Sequence, residues 1–380
     1  MNNDATELEL VVEQNKLLRD QNELLNKLIN DLSSELLYKK NEKVQSKTRS
    51  DGRKIFVKDI DRDEMRSGFL VTSHRKKLWN AQIGLINEFA RICKKYDLRW
   101  FAYGGTLLGA ARHGGFIPWD DDIDLVMLRP DYEKFKSVVE KELKNHPYYR
   151  TWYWFNYRLE TDYPSELTEL SLPFISKEQA DNYPGWAPFH PLMRMVDSRT
   201  TFIMPDERKN VFDSIWIDLL CLDPCPPFPN KDSANNFEIS RELLLATSFP
   251  EYVKKALENN ENFTIPHDDL LNFIKQPYKI RARSFEKFLL ETFFMAPYVG
   301  EIRHYTLTNK ELSYKLDNFS ETVLLPFEKI SLPAPVGYNE ILTAIYDDWH
   351  KLVITHFHSH EWSTDISFDE YRKKSFRFQG

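Results

Sequence analysis

The sequence predicts an α/β (α+β) chain in which a mixed sheet is flanked by helices and preceded by a coiled-coil helix. Three observations predict it. The first forty residues carry a heptad pattern. From about residue 70, short apolar runs alternate with amphipathic stretches. Glycine pairs and aspartates sit where a predicted strand meets a predicted helix.

In the heptad segment, Leu8, Asn15, Asn22, Ile29 and Leu36 recur every seventh residue. Val11, Leu18, Leu25 and Leu32 hold the companion position three residues later. These are the a and d sites of a coiled coil, which predicts an oligomerisation helix over 1–37 and a homo-oligomer joined through 8–36. Asparagine at two a sites favours a parallel pair in fixed register, while Leu17, Leu24 and Leu28 widen the apolar surface and leave a trimer or tetramer open. The alternative is one amphipathic helix lying on its own catalytic domain. Residues 38–58 are rich in Lys and Arg, and a basic linker is expected over 38–69. Its cations suit either a solvated spacer or peripheral contact with an anionic membrane.

A catalytic domain is expected over 70–380, with insertions at 158–192 and about 225–325. Within it, Lys77–Tyr96 reads as an amphipathic helix with Leu78, Ile83, Ile86, Phe89 and Cys93 on one face. Arg99–Tyr103, Ile123–Leu128 and Ser214–Leu220 read as strands. Pro130 introduces a helix over Asp131–Leu143. Further helices are expected at Asn235–Glu258, Pro266–Phe294 and Tyr338–His350.

With 380 residues, 42% of them hydrophobic, the chain can bury a large core. Its formal charge of −7 argues against a nucleic-acid partner. Cys93, Cys221 and Cys225 form no disulfide framework and read as core thiols rather than zinc ligands. The N-terminus lacks the apolar core of a signal peptide, and no apolar run reaches the roughly 18 residues of a membrane span. The expected location is the cytoplasm, with the inner face of the membrane as a second site.

The chemistry concentrates in Phe101–Tyr132. A strand runs into Gly104, Gly105 and Thr106, where bare backbone can approach a phosphate. Next comes Trp119, then Asp120, Asp121, Asp122, Ile123 and Asp124. The two-residue strand period puts the Asp122 and Asp124 carboxylates on one face. Two such neighbours repel, and Mg2+ or Mn2+ would relieve that cost, whereas a solvated acidic turn is the plainer alternative. Asp218 lies within an apolar run, Ile215–Leu220, where a charge needs a metal or an arginine beside it. Paired glycines, then D-x-D, then a lone aspartate on a later strand is the pattern of a nucleotidyltransferase-like sheet.

These residues resemble the LicD family, which includes bacterial phosphocholine transferases and the animal fukutin and fukutin-related proteins. The matching blocks are Tyr103–Gly109, Arg112-His113, Gly115–Asp124 and Asp131-Tyr132. Met195–Ser198, Trp216–Leu219, Leu222–Pro224, Pro326–Glu328, Pro335–Tyr338, Leu342 and Tyr346–Trp349 extend the resemblance over roughly 75–350. It implies transfer of a phospho-alcohol from a CDP-linked donor to a hydroxyl of a glycan or lipid-linked glycan. On that reading Asp122 and Asp124 bind the metal, and Asp218 is a third ligand or the base. Gly104, Gly105 and Thr106 would hold donor phosphates. Arg112 would bind a pyrophosphate oxygen, or pair with Asp120 or Asp121. His113 would contact the donor or move a proton, or make a structural hydrogen bond. Trp119 would be a packed lid or a stacking platform.

The aromatic run Thr151–Tyr157 is either a cage for a quaternary ammonium group or plain packing. Two other readings stand beside the transferase: a nucleotidyltransferase that makes an activated donor, and a coiled-coil scaffold without catalysis.

Overall fold

The computed structural model describes residues 54–153, 192–203, 212–225, 234–293, 296–301, 312–354 and 361–364. The heptad helix, the first part of the basic linker, nearly all of the 158–192 insertion and residues 154–157 of the aromatic run lie outside them.

A hairpin of β1 (Glu64–Arg66) and β2 (Phe69–Val71) leads into α1 (Ser73–Lys95). Thr72 caps this helix, its hydroxyl accepting from Arg75 N–H at 3.2 Å. The helix starts four residues earlier than expected because that cap, with Asp63 accepting from Ser73 N–H at 2.6 Å, satisfies the first turn. Leu78, Ile83, Leu85, Ile86, Phe89, Ile92 and Cys93 are buried along it.

Then follow β3 (Phe101–Ala102), α2 (Gly104–Leu108), β4 (Asp124–Leu128) and α3 (Arg129–Leu143). β5 (Tyr149–Tyr153), β6 (Leu192–Ile203) and β7 (Phe212–Cys225) complete the central strands. The sheet is mixed: β7 runs parallel to β4 and antiparallel to β6, and β3 runs antiparallel to β4. Along β7, Ile215, Ile217, Leu219 and Cys221 are fully buried, while the alternate positions Trp216 and Asp218 are only partly covered. The strand period of two therefore turns Asp218 toward the opposite face, where the core opens.

The region after β7 forms a helical unit with small cores of its own. Its elements are α4 (Ala234–Ser248), α5 (Pro250–Glu258), α6 (His267–Ile274) and α7 (Tyr278–Phe293). Two helices were expected here and four are present. Pro250 forces Phe249 out of helical geometry and restarts the chain as α5, and Pro277 separates α6 from α7 in the same way. Arg129 ties this unit to the sheet. Its Nε and Nη2 donate to both Asp223 oxygens at 2.6 and 2.8 Å, and Glu286 of α7 lies 3.6 Å away.

The chain returns through β8 (Tyr298–Gly300) and β9 (Ser313–Lys315), which extend the end of β7. A hairpin of β10 (Thr322–Phe327) and β11 (Ile330–Pro335) precedes α8 (Tyr338–Tyr346), and β12 (Glu361–Ser363) pairs with β6. α8 is shorter than expected: Asp347, at φ 59°, ends it. Cys93, Cys221 and Cys225 are free and buried, as core thiols would be. No helix among the described residues is long and apolar enough to cross a membrane.

Candidate active site

The paired glycines form the first turn of α2, and two carboxylates, Asp124 at the start of β4 and Asp120 in the loop before it, press against them. Gly104 has φ +50°, and a Cβ there would stand 3.1 Å from Asp124 Oδ2. A Cβ on Gly105 would stand 2.8 Å from Asp120 Oδ2. The glycines thus make room for carboxylates. Thr106 is buried, and its hydroxyl accepts from Asp124 N–H at 2.9 Å, so it braces the start of β4. After Leu108 the helix widens into a π turn, Gly109–His113, which ends at Gly114 in the left-handed region.

The acidic loop is held from behind by α1. Arg75 Nη1 and Trp79 Nε1 both donate to the Asp120 carbonyl, at 2.8 and 3.0 Å, and Gln82 Nε2 donates to the Asp121 carbonyl at 2.8 Å. Trp79 also stacks on Phe116, with ring centres 4.7 Å apart. These positioning residues escape sequence reasoning, since Arg, Trp and Gln on an amphipathic helix carry no motif. The β10–β11 hairpin supports the other side. Glu328 N–H donates to the Gly114 carbonyl at 2.9 Å, and its carboxylate pairs with Arg66.

Ile123 is fully buried between Asp122 and Asp124, as the alternation requires. Asp218 N–H donates to the Ile123 carbonyl at 2.8 Å, and the register sets Asp218 beside Asp124 on the parallel neighbour. Residues 94 positions apart are therefore brought together. Arg194, directly across from Asp218 on β6, donates through Nε to Asp218 Oδ1 at 2.6 Å. Its guanidinium lies 3.9 Å from the centre of the Trp216 ring. The partner that Asp218 needed is thus an arginine.

Burial raises the Asp124 pKa well above the usual carboxylate range, and Asp122, Asp218, Asp120 and Glu301 add to that. Asp120 is pushed up likewise by burial, then by Asp122 and Asp121. Among the described residues neither Asp122 nor Asp124 has a cationic partner. This donor set of hard carboxylate oxygens, crowded and uncompensated, fits a divalent cation in chemistry. In arrangement it is open: among the described residues no three His, Cys, Asp or Glu side chains close around one point.

Beside the glycines lies a cavity of about 260 Å³, lined by Gly105, Arg112, Trp119, Asp120, Tyr346 and Trp349 among others. Arg112 pairs with neither Asp120 nor Asp121. Its Nη1 donates to the carbonyls of Trp349 and Lys351 at 3.1 and 3.0 Å, and its Nε donates to His113 Nε2 at 3.1 Å. Burial, then Arg112 and Arg66, pulls the His113 imidazole down to about 4. His113 is therefore a neutral acceptor at pH 7 and makes a structural hydrogen bond with Arg112. Trp119 is buried, edge-on to Phe69 and His113, and contributes wall to the cavity.

A profile described as LicD/FKTN/FKRP, nucleotidyltransferase domain, matches residues 97–200, which span the glycine turn, Asp122, Asp124 and Arg194. Over 272 residues the chain is 26% identical to the lipopolysaccharide cholinephosphotransferase LicD of Haemophilus influenzae, covering 71% of this chain and 89% of that protein. It is also 64% identical over 28 residues to the ribitol 5-phosphate transferase FKRP of Homo sapiens and of Mus musculus, 7% of this chain and 6% of theirs. The glycine-to-carboxylate packing lies within residues 97–200, the stretch that is similar to the LicD/FKTN/FKRP nucleotidyltransferase domain, and the Asp124–Asp218 register joins it to β7.

Proposed function

We propose that this chain transfers a phospho-alcohol (choline, ribitol, glycerol or ethanolamine phosphate) from a CDP-linked donor to a hydroxyl of a glycan. The observation that carries this reading is the packing of Asp124 and Asp120 against the paired glycines, with Asp218 beside Asp124 on the parallel neighbour. The Haemophilus relative, named for phosphocholine transfer to lipopolysaccharide, and the two ribitol 5-phosphate transferases support the same reaction class.

Such a transfer needs in-line positioning and compensation of charge more than covalent help. Asp122 and Asp124 are the residues to hold Mg2+ or Mn2+, which when bound would neutralise charge on the phosphoryl oxygens. Gly104 and Gly105 keep the backbone bare where the donor diphosphate would approach. Asp218, oriented by Arg194 and with its pKa raised chiefly by burial, lies beside Asp124 and is the candidate to receive the acceptor proton. The cavity beside Gly105 and Trp119 would take one end of the donor.

The test is a mass-spectrometric screen of CDP-choline, CDP-ribitol, CDP-glycerol and CDP-ethanolamine, with Mg2+ or Mn2+ and lipopolysaccharide as acceptor. Release of CMP with a matching mass gain on the acceptor is expected for one donor. Pyrophosphate release from a nucleoside triphosphate, with no CMP from any donor, would instead mean an enzyme that makes activated donors. Self-association through residues 8–36 belongs to the same proposal. Light scattering should give a multiple of the protomer mass for the full chain and a single protomer for a chain beginning at Lys58.

A further inference from the structure

Tyr346 is the last residue of α8, a helix anchored by the buried Ile341 and Leu342. The turn at Asp347 stops the helix there, with Asp347 N–H donating to the Thr343 carbonyl at 2.9 Å. The final side chain is therefore fixed at a helix end rather than on a loose loop. That side chain lines the same cavity as Gly105 and Asp120 and is 37% exposed to it and to solvent. Among the described residues its hydroxyl makes no hydrogen bond. A tyrosine placed only for packing turns its ring to the core and its hydroxyl to a partner or open water. Here the ring forms cavity wall beside the acidic cluster.

We propose that the Tyr346 hydroxyl is a further catalytic residue, donating a hydrogen bond to a phosphate oxygen of the CDP-linked donor. This rests on the transferase reading above. In that reaction the acceptor hydroxyl oxygen forms the new bond to phosphorus, and the bond from phosphorus to CMP breaks. The hydroxyl proton passes to a carboxylate, and CMP departs with the electron pair. The phenol keeps its proton throughout and stabilises oxygen on which charge grows. An ordinary phenol, with a pKa of ~10, keeps its proton across the physiological range and is a donor there. Its neutrality suits the place: a donor is supplied without adding an ion pair to a cluster of carboxylates that a metal already has to balance.

The experiment compares wild-type full chain with Tyr346→Phe and Tyr346→Leu, using whichever of the four CDP-alcohols the wild type turns over. The readouts are kcat, KM, and calorimetric binding of the same donor. Tyr346→Phe should keep the melting temperature within about 2 °C and KM within about threefold, while kcat falls roughly 10- to 100-fold. Tyr346→Leu should lose at least as much. A Phe variant with wild-type kcat, and loss confined to Leu, would mean the ring only packs and would overturn the assignment. A folded wild type that neither binds nor turns over any CDP-alcohol sinks the transferase reading itself, and this inference with it.

Discussion

Arg194 donates through Nε to Asp218 at 2.6 Å from the directly opposite position on the neighbouring antiparallel strand. Asp124 lies on the other side of Asp218, on the parallel neighbour. A row of arginine, aspartate, aspartate thus crosses three strands, with its cation at one end and its uncompensated carboxylates at the other. The field this creates favours a cation beside Asp124 and Asp122.

Breaking the Arg194 pair should cost stability as well as activity. Both side chains are largely covered, at 10% and 14% exposure, so Arg194→Met strands a carboxylate with little water. A loss of about 3 kcal/mol is expected in urea unfolding. The double variant Arg194→Met/Asp218→Asn should recover more than half of it, because no charge is then left unpaired. Additive losses would mean that the two side chains do not stabilise each other.

Alanine at the two glycines should act by different routes. Gly104→Ala places a side chain at φ +50°, an expected loss of about 1–2 kcal/mol in unfolding experiments, and it crowds Asp124. Gly105→Ala carries no backbone penalty but meets Asp120 Oδ2 at 2.8 Å. It should leave stability within about 1 kcal/mol while kcat falls about 100-fold, since a small displacement of a positioned group is costly. Equal effects of both variants on the melting temperature would contradict this division.

Much of this site was legible in the sequence for a physical reason. Asp124 opens β4 with Asp122 two residues ahead of it, and Asp218 betrays itself as a charge in an apolar run. That Asp218 meets Asp124 depends on a parallel register, which local pattern does not encode; the resemblance to a known family supplied it. Arg194 was illegible because an arginine in a strand gives no sign of which residue faces it across the ladder. Arg75, Trp79 and Gln82 were hidden similarly, as polar atoms on a helix read as core-facing or solvated. The alternative partners of Arg112, Asp120 and Asp121, looked plausible by proximity in sequence, whereas backbone carbonyls 237 and 239 residues away hold it. The helices were legible in place but not in number, since Pro250 and Pro277 fall inside stretches whose apolar periodicity continues across them.

Neutralising the carboxylate that opens β4 should move stability and activity in opposite directions. Asp122 and Asp124 repel each other and Asp218, so Asp124→Asn relieves a cost of the metal-free protein. A gain of about 1 kcal/mol, or no loss, is expected without metal. Added Mg2+ or Mn2+ should raise the wild-type melting temperature and leave that of Asp124→Asn in place, because binding to the folded state alone stabilises it. Activity should fall at least about 100-fold. A variant that melts lower without metal and still responds to it would remove Asp124 from the ion-binding role.

The last expectation concerns acid. Folded His113 is held down to about 4, chiefly by burial, whereas an unfolded imidazole titrates near 6.5. Below pH ~6.5 the unfolded chain therefore binds a proton that the folded chain refuses, and this contribution to stability is lost as pH falls toward 4. Above pH ~6.5 it is fully present. Asp120 and Asp124, with raised values, work in the other direction, so the His113 effect has to be read as a difference between variants. His113→Gln keeps an acceptor for Arg112 Nε and removes the titration. Unfolding free energies measured from pH 4.5 to 8 should lie close together for the two proteins above pH 7, and the wild type should fall below His113→Gln toward pH 4.5 by an amount on the order of 2 kcal/mol, discounted for partial exposure. If the difference is the same at both ends, the imidazole is not held neutral by the fold. Activity should likewise show no limb near pH 6.5 attributable to His113, since the neutral ring persists through that range and acts only by orienting Arg112 against the carbonyls of Trp349 and Lys351.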